Sequence, residues 1–137
     1  MSEPLTVRKE IVINAPASKV WGMFIDPVFT RQMGGRYISN WQVGSSFRWQ
    51  ALNGSILTNG MILDIEPEKF LQHSLYYPEE EDEVMARITY TLDEEDGKTV
   101  LAITEEFTDP ITEKDHEDSM DGWSAALTMI KQLMENK

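Results

Sequence analysis

The strongest pattern along the chain is a helical one in its last part. Residues 112–137 contain no proline, and their apolar side chains recur at steps of three and four positions. This spacing places them on one face of a helix. The face comprises Met120, Trp123, Leu127, Ile130 and Met134, and it is widened by Ala126, Met129 and Leu133. A face of this width is typical of a helix that lies on a core rather than in a narrow coiled-coil seam.

The sequence also predicts where this helix begins and how it meets its surroundings. Thr112 is followed three residues later by Asp115, which is an N-capping signal, and Pro110 ends the preceding strand. Gly122 destabilises a helix by about 1 kcal/mol relative to alanine. Because it precedes the large Trp123, we expect a close approach to another backbone there. The helix then either packs on a filled core or covers a sheet incompletely and leaves a cavity.

The chain before this helix mostly alternates apolar and polar residues, which is typical of β-strands. Strands are predicted at residues 7–14, 46–49, 56–66, 71–77, 84–92 and 101–107. Asn53-Gly54 and Asp96-Gly97 supply tight hairpin turns. The segment 78–83, which begins with proline and continues with acidic residues, is expected to form a solvated loop.

The longest predicted strand covers residues 56–66. Asn59-Gly60 lies inside it and indicates a β-bulge rather than a second turn. Alternate side chains of this strand are expected to face the core and the outside. The inward set is Met61, Leu63 and Ile65, and the outward set is Ile62, Asp64 and Glu66.

Two short helices are predicted after the first strand. Pro16 suits the first turn of a helix, and an apolar stripe ends near Asp26-Pro27. The stripe consists of Val20, Trp21, Phe24 and Ile25. Residues 29–33 form the second short helix, which the glycine pair at 34–35 interrupts.

Together these elements predict an α+β fold, with a curved antiparallel sheet of six to seven strands wrapped around the long C-terminal helix. Such a sheet must bury one face, and the long helix is the element able to cover it. One helix is about 10–12 Å wide, whereas strands lie about 4.8 Å apart. A cavity between them is therefore expected, within the roughly 300–1,000 Å³ typical of small-ligand pockets. A length of 137 residues suits one domain, residues 1–137.

Composition narrows the choice of partners. The chain has 24 acidic and 12 basic residues, a formal net charge of -12, which disfavours nucleic acid and anionic membranes. Because there is no cysteine, disulfides, thiol nucleophiles and Cys-ligated zinc are excluded. No apolar run approaches the roughly 20 residues that span a bilayer, and residues 1–9 contain no hydrophobic signal core. We expect a cytoplasmic protein.

Several stretches, taken together, resemble one family. They are Val20-Trp21 with Asp26-Pro27, the segment VGSSFRW at 43–49, GMILDIEP at 60–67 with Phe70-Leu71, residues 99–107, and Gly122-Trp123 with Leu127. In this order they cover nearly the whole chain. They resemble the small bacterial SRPBCC (START-like) domains that are similar to the C-terminal domain of the activator of the 90-kDa heat-shock chaperone ATPase.

This resemblance implies a helix-grip fold, in which two short helices close one end of the sheet and a deep, mostly apolar cavity lies inside. Related domains bind lipids or aromatic natural products, a few act as cyclases or hydrolases, and the eukaryotic namesake assists a chaperone. The family has no universal catalytic motif. The sequence departs from common members after Asp26-Pro27, where they often carry tryptophans and this chain has Met33-Gly34-Gly35.

Two polar residues, His73 and Glu105, fall among the predicted inward positions. A carboxylate in an apolar cavity holds a proton more tightly and can act as an acid or base, and a histidine does so near neutral pH. If the two side chains meet, they form a minimal acid–base pair. Otherwise His73 is a hydrogen-bonded wall residue and Glu105 is solvated or salt-bridged at a sheet end. His73 turns outward if strand parity slips at a bulge.

The acidic residues near the start of the last helix do not indicate a metal site. The cluster consists of Asp115, His116, Glu117, Asp118 and Asp121. Only Asp118 and Asp121 lie three apart on one helical face, and the helix dipole explains acidic residues in a first turn. No Ser–His–Asp order, HExxH pattern or phosphate-binding glycine loop appears in the sequence. We predict neither a metal nor a cofactor.

The remaining inward positions predict a ligand site. Its residues are Trp49, Met61, Leu63, Leu75, Tyr77, Ile88, Tyr90, Ile103, Trp123, Leu127 and Ile130. We predict a protein, monomeric or weakly homodimeric, that holds a lipid or a polyketide- or flavonoid-like molecule between sheet and helix. One alternative is an enzyme of cyclase or hydrolase type that uses His73 and Glu105. Another is a co-chaperone-like domain that binds a chaperone with its outer sheet face, where Val12, Ile62 and Met85 are expected.

Overall fold

The computed structural model describes residues 6–77 and 80–135. Within these residues, seven antiparallel strands form one sheet in the order β1-β7-β6-β5-β4-β3-β2. The strands are β1 (Thr6–Ile13), β2 (Gly35–Ser39), β3 (Ser46–Ala51), β4 (Ile56–Glu66), β5 (Phe70–Tyr77), β6 (Glu80–Glu95) and β7 (Lys98–Phe107). The helices are α1 (Ala17–Val20), α2 (Gly22–Ile25), α3 (Pro27–Gln32) and α4 (Glu113–Glu135). This arrangement confirms the predicted α+β helix-grip fold.

Helix α4 runs beside β1, which is an edge strand of the sheet. The Lys131 ammonium donates to the carbonyl oxygen of Val12 at 2.8 Å. The carboxylate of Glu135 accepts from the backbone N–H of Asn14 at 2.7 Å. These bonds satisfy backbone groups at the end of an edge strand that would otherwise be open to another chain.

Among the described helices, none is long and apolar enough to cross a membrane.

The predicted start and apolar face of α4 are largely confirmed. The Thr112 hydroxyl accepts from the backbone N–H of Asp115 at 3.0 Å, as an N-cap does. The buried side chains of the helix are Leu127, Ile130 and Met134, and Met120, Trp123 and Leu133 pack against the same core. The predicted widening of this face is wrong at Met129, which is 46% exposed. It lies about 100° around the helix from Ile130 and turns away from the sheet.

The prediction of which β4 side chains face the core is wrong at several positions, because the bulges of this strand do not lie where they were expected. Ile62 pairs with His73 and Asp64 pairs with Gln72, so Leu63 is an extra residue without a partner. A second register shift against β3 leaves Leu57 unpaired. A bulge adds one residue to a strand and therefore reverses which side chains face the core.

The consequence is that several predicted side chains exchange faces. Ile62 is fully buried, whereas Met61 and Leu63 lie on the outer face at 36% and 38% exposure. Ile65, beyond the bulge, packs against the core as expected. Ile62 was expected on the outer surface, and that prediction is wrong for the same reason.

Gly60 lies within the regular part of the β3–β4 ladder, opposite Phe47, and forms no bulge. A Cβ atom at this position would overlap the backbone carbonyl oxygen of Ser74 on β5. The neighbouring backbone N–H of Met61 donates to the Ser74 hydroxyl at 3.0 Å. Glycine is therefore required here because the two strands approach each other too closely for any side chain.

The short elements differ from prediction at their ends. The expected helix across residues 20–25 is divided at Trp21 into α1 and α2, and α3 begins at Pro27 rather than Phe29. The predicted acidic loop is wrong from Glu80 onward, because β6 begins there and pairs with Tyr77. Residues 78 and 79 lie outside the described part. Both predicted hairpin turns are present, and Asp96-Gly97 has the positive φ values of 56° and 79° typical of a two-residue turn.

The close approach predicted at Gly122 is wrong, and this yields a stability test. Gly122 is exposed, and apart from its chain neighbours and the backbone of its own helix, no described atom lies within 4 Å of a Cβ placed there. We expect Gly122→Ala to raise the free energy of unfolding by about 1 kcal/mol, the difference in helix propensity. Urea unfolding followed by circular dichroism measures this.

Gly60→Ala is the matched control for that experiment, since it makes the same change in chemistry at a site without space. It should lower the free energy of unfolding, because the new methyl group meets the Ser74 backbone. Equal effects of the two substitutions would contradict the assignment of their different roles.

Candidate functional site

A cavity of about 220 Å³ opens where α2 and α3 meet α4 and the β2–β3 end of the sheet. Its lining side chains are Met23, Phe29, Met33, Tyr37, Trp49 and Ile130. All are apolar or aromatic, and only the Tyr37 hydroxyl and the Trp49 indole N–H provide hydrogen-bonding groups. The volume is below the roughly 300–1,000 Å³ of typical ligand pockets. The flexible methionine side chains give this wall the freedom to adjust to an occupant.

The start of α3 explains one wall of the cavity. The Asp26 carboxylate accepts from the backbone N–H of Val28 at 3.0 Å, and Pro27 occupies the first helical position. This cap fixes the direction of a helix of only six residues. Phe29 and Met33 are four residues apart and therefore project from the same side of it, into the cavity.

The opposite wall depends on Gly35. A Cβ atom at this buried position would overlap the Gln50 carbonyl oxygen and lie 3.0 Å from the Trp49 ring. The absent side chain lets the indole of Trp49 lie against β2. There it meets Tyr37, its direct partner across the strands, with ring centroids 4.7 Å apart and an edge-to-face geometry.

From this wall, a continuous series of rings crosses the interior to α4. We call it the aromatic row; its members are Tyr37, Phe47, His73, Tyr90 and Trp123. Successive ring centroids are separated by 4.8, 4.3, 5.7 and 6.0 Å. The row passes across β2, β3, β5 and β6 and ends on the helix. It links the cavity wall to His73 and, through Trp123, to Glu105, which are both buried.

His73 is the central member of the aromatic row and is only 2% exposed. Its Nδ1 lies 2.9 Å from the carbonyl oxygen of Ser74. A carbonyl only accepts, so this bond assigns the proton to Nδ1 and leaves a lone pair on Nε2. Among residues 6–77 and 80–135, no protein group forms a hydrogen bond with Nε2. A buried acceptor in this state costs about 1–3 kcal/mol.

Burial keeps the polar groups of the row uncharged. It lowers the pKa of His73 to about 4, although the bond to the Ser74 carbonyl opposes the change. Desolvation raises the pKa of Tyr37 to about 12, partly offset by its hydrogen-bonding interaction with Tyr90. Desolvation also raises the pKa of Tyr90 well above its usual value. At neutral pH the row therefore presents one neutral imidazole and two protonated hydroxyls.

Glu105 is buried beside the end of the aromatic row. One carboxylate oxygen accepts from the Ser119 hydroxyl at 2.6 Å and from the Trp123 indole N–H at 2.9 Å. Both donors lie on α4. The expectation of a solvated or salt-bridged Glu105 is therefore wrong. The carboxylate instead fastens the helix to β7.

The acid–base pair considered for His73 and Glu105 does not form. Both residues are register partners of Ile88, one from β5 and the other from β7. A whole strand therefore separates them, which places their backbones about 10 Å apart. Each side chain is also engaged with a different group, Ser74 for the histidine and α4 for the glutamate.

The other predicted ligand-binding residues fall into three groups. Trp49 and Ile130 line the cavity, and Tyr90 and Trp123 belong to the aromatic row. The second group is buried core, comprising Ile88, Ile103 and Leu127. The third group is Leu75 and Tyr77, which border a second groove, together with Met61 and Leu63 on the outer face. Leu75 also packs against the core. The Tyr77 hydroxyl donates to Asp109 at 2.8 Å. Ligand contact by any of these residues stays a prediction.

Four cavity residues were missed by the sequence analysis: Met23, Phe29, Met33 and Tyr37. A signal for two of them was present, because Asp26-Pro27 is a helix start that places Phe29 and Met33 on one side.

Among the described residues, no group of three or more His, Cys, Asp or Glu side chains has the geometry of a metal site. Asp118 accepts from Lys114 at 3.2 Å.

Comparison with known proteins identifies the family. A model of the family described as "Activator of Hsp90 ATPase homolog 1-like protein" matches residues 14–135. The chain belongs to this family. The match confirms the resemblance to SRPBCC domains drawn from the sequence motifs. No curated protein matches the chain.

Solved structures of similar proteins share the fold. ChR145 from Cytophaga hutchinsonii is 26% identical, with a TM-score of 0.78 over 99% of this chain and 97% of that one. The Aha1 dimer from Colwellia psychrerythraea is 16% identical, with a TM-score of 0.77 over 96% and 97%. DynU16, from the dynemicin biosynthetic locus, is 18% identical, with a TM-score of 0.78 over 96% of this chain and 47% of that one.

The lowered pKa of His73 predicts a pH dependence of stability. Between pH 6.5 and about 4 the unfolded chain binds a proton that the folded chain excludes. Stability from this group is therefore complete above pH 6.5 and lost as the pH falls, by about 3 kcal/mol at pH 4. Urea unfolding across this range measures it.

His73→Phe is the comparison variant, because it removes the titrating group and keeps a ring in the row. The variant should lack this part of the pH dependence, while both proteins share the acid sensitivity of their carboxylates. Parallel curves for the two proteins between pH 4 and 7 would contradict the assignment of a buried, neutral His73.

Proposed function

We propose that the protein binds a hydrophobic or aromatic small molecule, of lipid or polyketide- or flavonoid-like class, in the cavity between the sheet and α4. The observation that carries this proposal is the wall composition. All six lining side chains are apolar or aromatic, and the aromatic row begins in the same wall. Aromatic walls favour flat ligands, which gain about 0.5–1.5 kcal/mol per ring pair beyond burial.

Family and fold support a ligand-binding domain in general terms. DynU16, which has the same fold, is encoded in a locus for natural-product biosynthesis. That context is consistent with a polyketide-like ligand, and it motivates the choice of aromatic compounds in the binding test.

Binding without turnover is favoured over an enzymatic role by the arrangement of the polar groups. The carboxylate of Glu105 already accepts hydrogen bonds from two donors on α4. His73 is separated from it by β6. An acid and a base that do not meet are a poor basis for the cyclase or hydrolase chemistry that a pair of adjacent groups would support.

The binding test is an NMR titration of the nitrogen-15-labelled protein with naphthalene derivatives and with fatty acids. We expect saturable shifts in the amides around Tyr37, Trp49 and Ile130. Met33→Trp should weaken binding by about tenfold or more, equivalent to about 1.4 kcal/mol, since the larger ring fills the cavity.

Val28→Trp is the matched control, because it adds the same ring at an exposed position of α3, the helix that Met33 caps. It should leave the affinity unchanged. Equal losses in the two variants, or no shift at the three reporter positions with any compound, would contradict ligand binding in this cavity.

A second candidate role is self-association through the outer face of the sheet. Met61, Leu63 and Val84 are exposed there beside a groove of about 450 Å³. The similar Aha1 from Colwellia psychrerythraea is a dimer in solution. The net charge of -12 opposes contact between two copies, so salt should strengthen their association. Binding of a chaperone to this face stays a prediction from the family resemblance.

Sedimentation velocity at low and high salt tests the second role. We expect a dimer fraction that grows with salt and disappears in Leu63→Glu. Val28→Glu adds the same charge at an exposed position of α3, a helix that packs on the cavity side of the sheet, and should leave the fraction unchanged. A monomer at all salt concentrations and at high protein concentration would rule out self-association through this surface.

A further inference from the structure

We infer that the ligand of this protein carries a hydroxyl group on its aromatic part, and that this hydroxyl donates a hydrogen bond to Nε2 of His73. The inference rests on the proposed function, because it names the chemical class of the same ligand. The observation behind it is a buried nitrogen with a lone pair that no described protein group satisfies.

The direction of this lone pair follows from the local backbone. Gly60 leaves space for the Ser74 carbonyl to turn inward, and Nδ1–H of His73 donates to that carbonyl. The two ring nitrogens lie on different sides of the imidazole. Because Nδ1 faces the strand backbone, Nε2 is directed away from that carbonyl and toward the interior.

The surroundings of His73 determine which kind of hydrogen-bond donor can reach its Nε2. Its ring lies between Phe47, at 4.3 Å, and Tyr90, at 5.7 Å between centroids. Nearby, the Glu105 carboxylate is already bonded to Ser119 and Trp123. Glu105 is also separated from His73 by β6, so a cationic donor at Nε2 would enter an apolar site without an adjacent counter-charge, which is costly. A neutral O–H donor meets the need of Nε2 at a smaller desolvation cost.

Tyr37 connects the cavity with this nitrogen. Its ring lines the cavity and stacks on Phe47 at 4.8 Å, and its hydroxyl interacts with Tyr90. Tyr37 thus forms the partition between the open cavity and the His73 region. Its strand, β2, lies at the edge of the described sheet, beside β3. A ligand that displaces the Tyr37 ring meets Phe47 and the Tyr90 hydroxyl, and both of these residues lie against His73.

Two probes of matched shape test the inference: 2-naphthol, which carries a hydroxyl, and 2-methylnaphthalene, which carries a methyl group in its place. The measured quantity is the ratio of their dissociation constants in the wild type and in His73→Phe. Comparing ratios cancels the difference in hydrophobicity between the probes. We expect the preference for naphthol to fall about tenfold in the variant. His116→Phe, which changes the other histidine of the chain, should retain the wild-type ratio.

A second readout needs no variant and therefore does not depend on the folding of His73→Phe. In protein labelled with nitrogen-15 histidine, the two imidazoles give few resonances, and His116 serves as the internal reference. Naphthol should shift the Nε2 resonance of His73 toward the position of a hydrogen-bonded nitrogen. Methylnaphthalene should leave it in place.

The outcomes separate the inference from the proposed function. Binding of both probes at the cavity amides, with an unmoved Nε2 resonance or an unchanged ratio in His73→Phe, overturns the inference and leaves ligand binding intact. An Nε2 resonance that is already hydrogen-bonded in the free protein and insensitive to naphthol also overturns it, and identifies a buried water as the partner. Failure of both probes to shift any cavity amide counts against the proposed function itself.

Discussion

A single helix cannot cover a seven-stranded sheet, and this mismatch of widths determines the rest of the architecture. The helix is about 10–12 Å across, and the strands together span about three times that distance. α4 is committed to the β1 side by its bonds to Val12 and Asn14 and by its attachment to Glu105. The β2–β3 end is left to two short helices, α2 and α3, and to large aromatic side chains. These side chains pack against the sheet but leave the cavity of about 220 Å³ between the short helices, α4 and the β2–β3 end.

Polar chemistry inside the protein is controlled by backbone approach rather than by ion pairs. The missing side chain of Gly60 permits the inward carbonyl of Ser74, and that carbonyl sets the tautomer of His73. The formal charge of -12 is a property of the surface, whereas the aromatic row is neutral. Salt and a bound molecule should therefore affect different parts of the protein. Salt acts on the outside, and only a species that enters the row meets the imidazole.

The success of sequence reasoning here followed the strength of each local pattern. A repeat of three and four residues over about four turns identified the buried face of α4, including Leu127 and Ile130. The parity of β4 failed because residues 61–63 are all apolar, so alternation carries no information until the bulge at Leu63 is known. The α2–α3 wall was missed because helices of four and six residues are too short to display a periodic face. Gly60 and Gly122 look alike in sequence, and only their neighbours across space distinguish them.

Two of the six cavity-lining side chains are methionines, and this gives the site a chemical vulnerability. Oxidation of the Met23 or Met33 thioether to a sulfoxide places a polar, chiral group in an otherwise apolar wall. The hydrogen bonds that attach α4 beside β1 come from Lys131 and Glu135 and involve no sulfur atom. The direct effect of oxidation at Met23 or Met33 is therefore a more polar cavity wall. In a chain without cysteine, reversible thioether chemistry at these residues is the route by which redox conditions would reach the site.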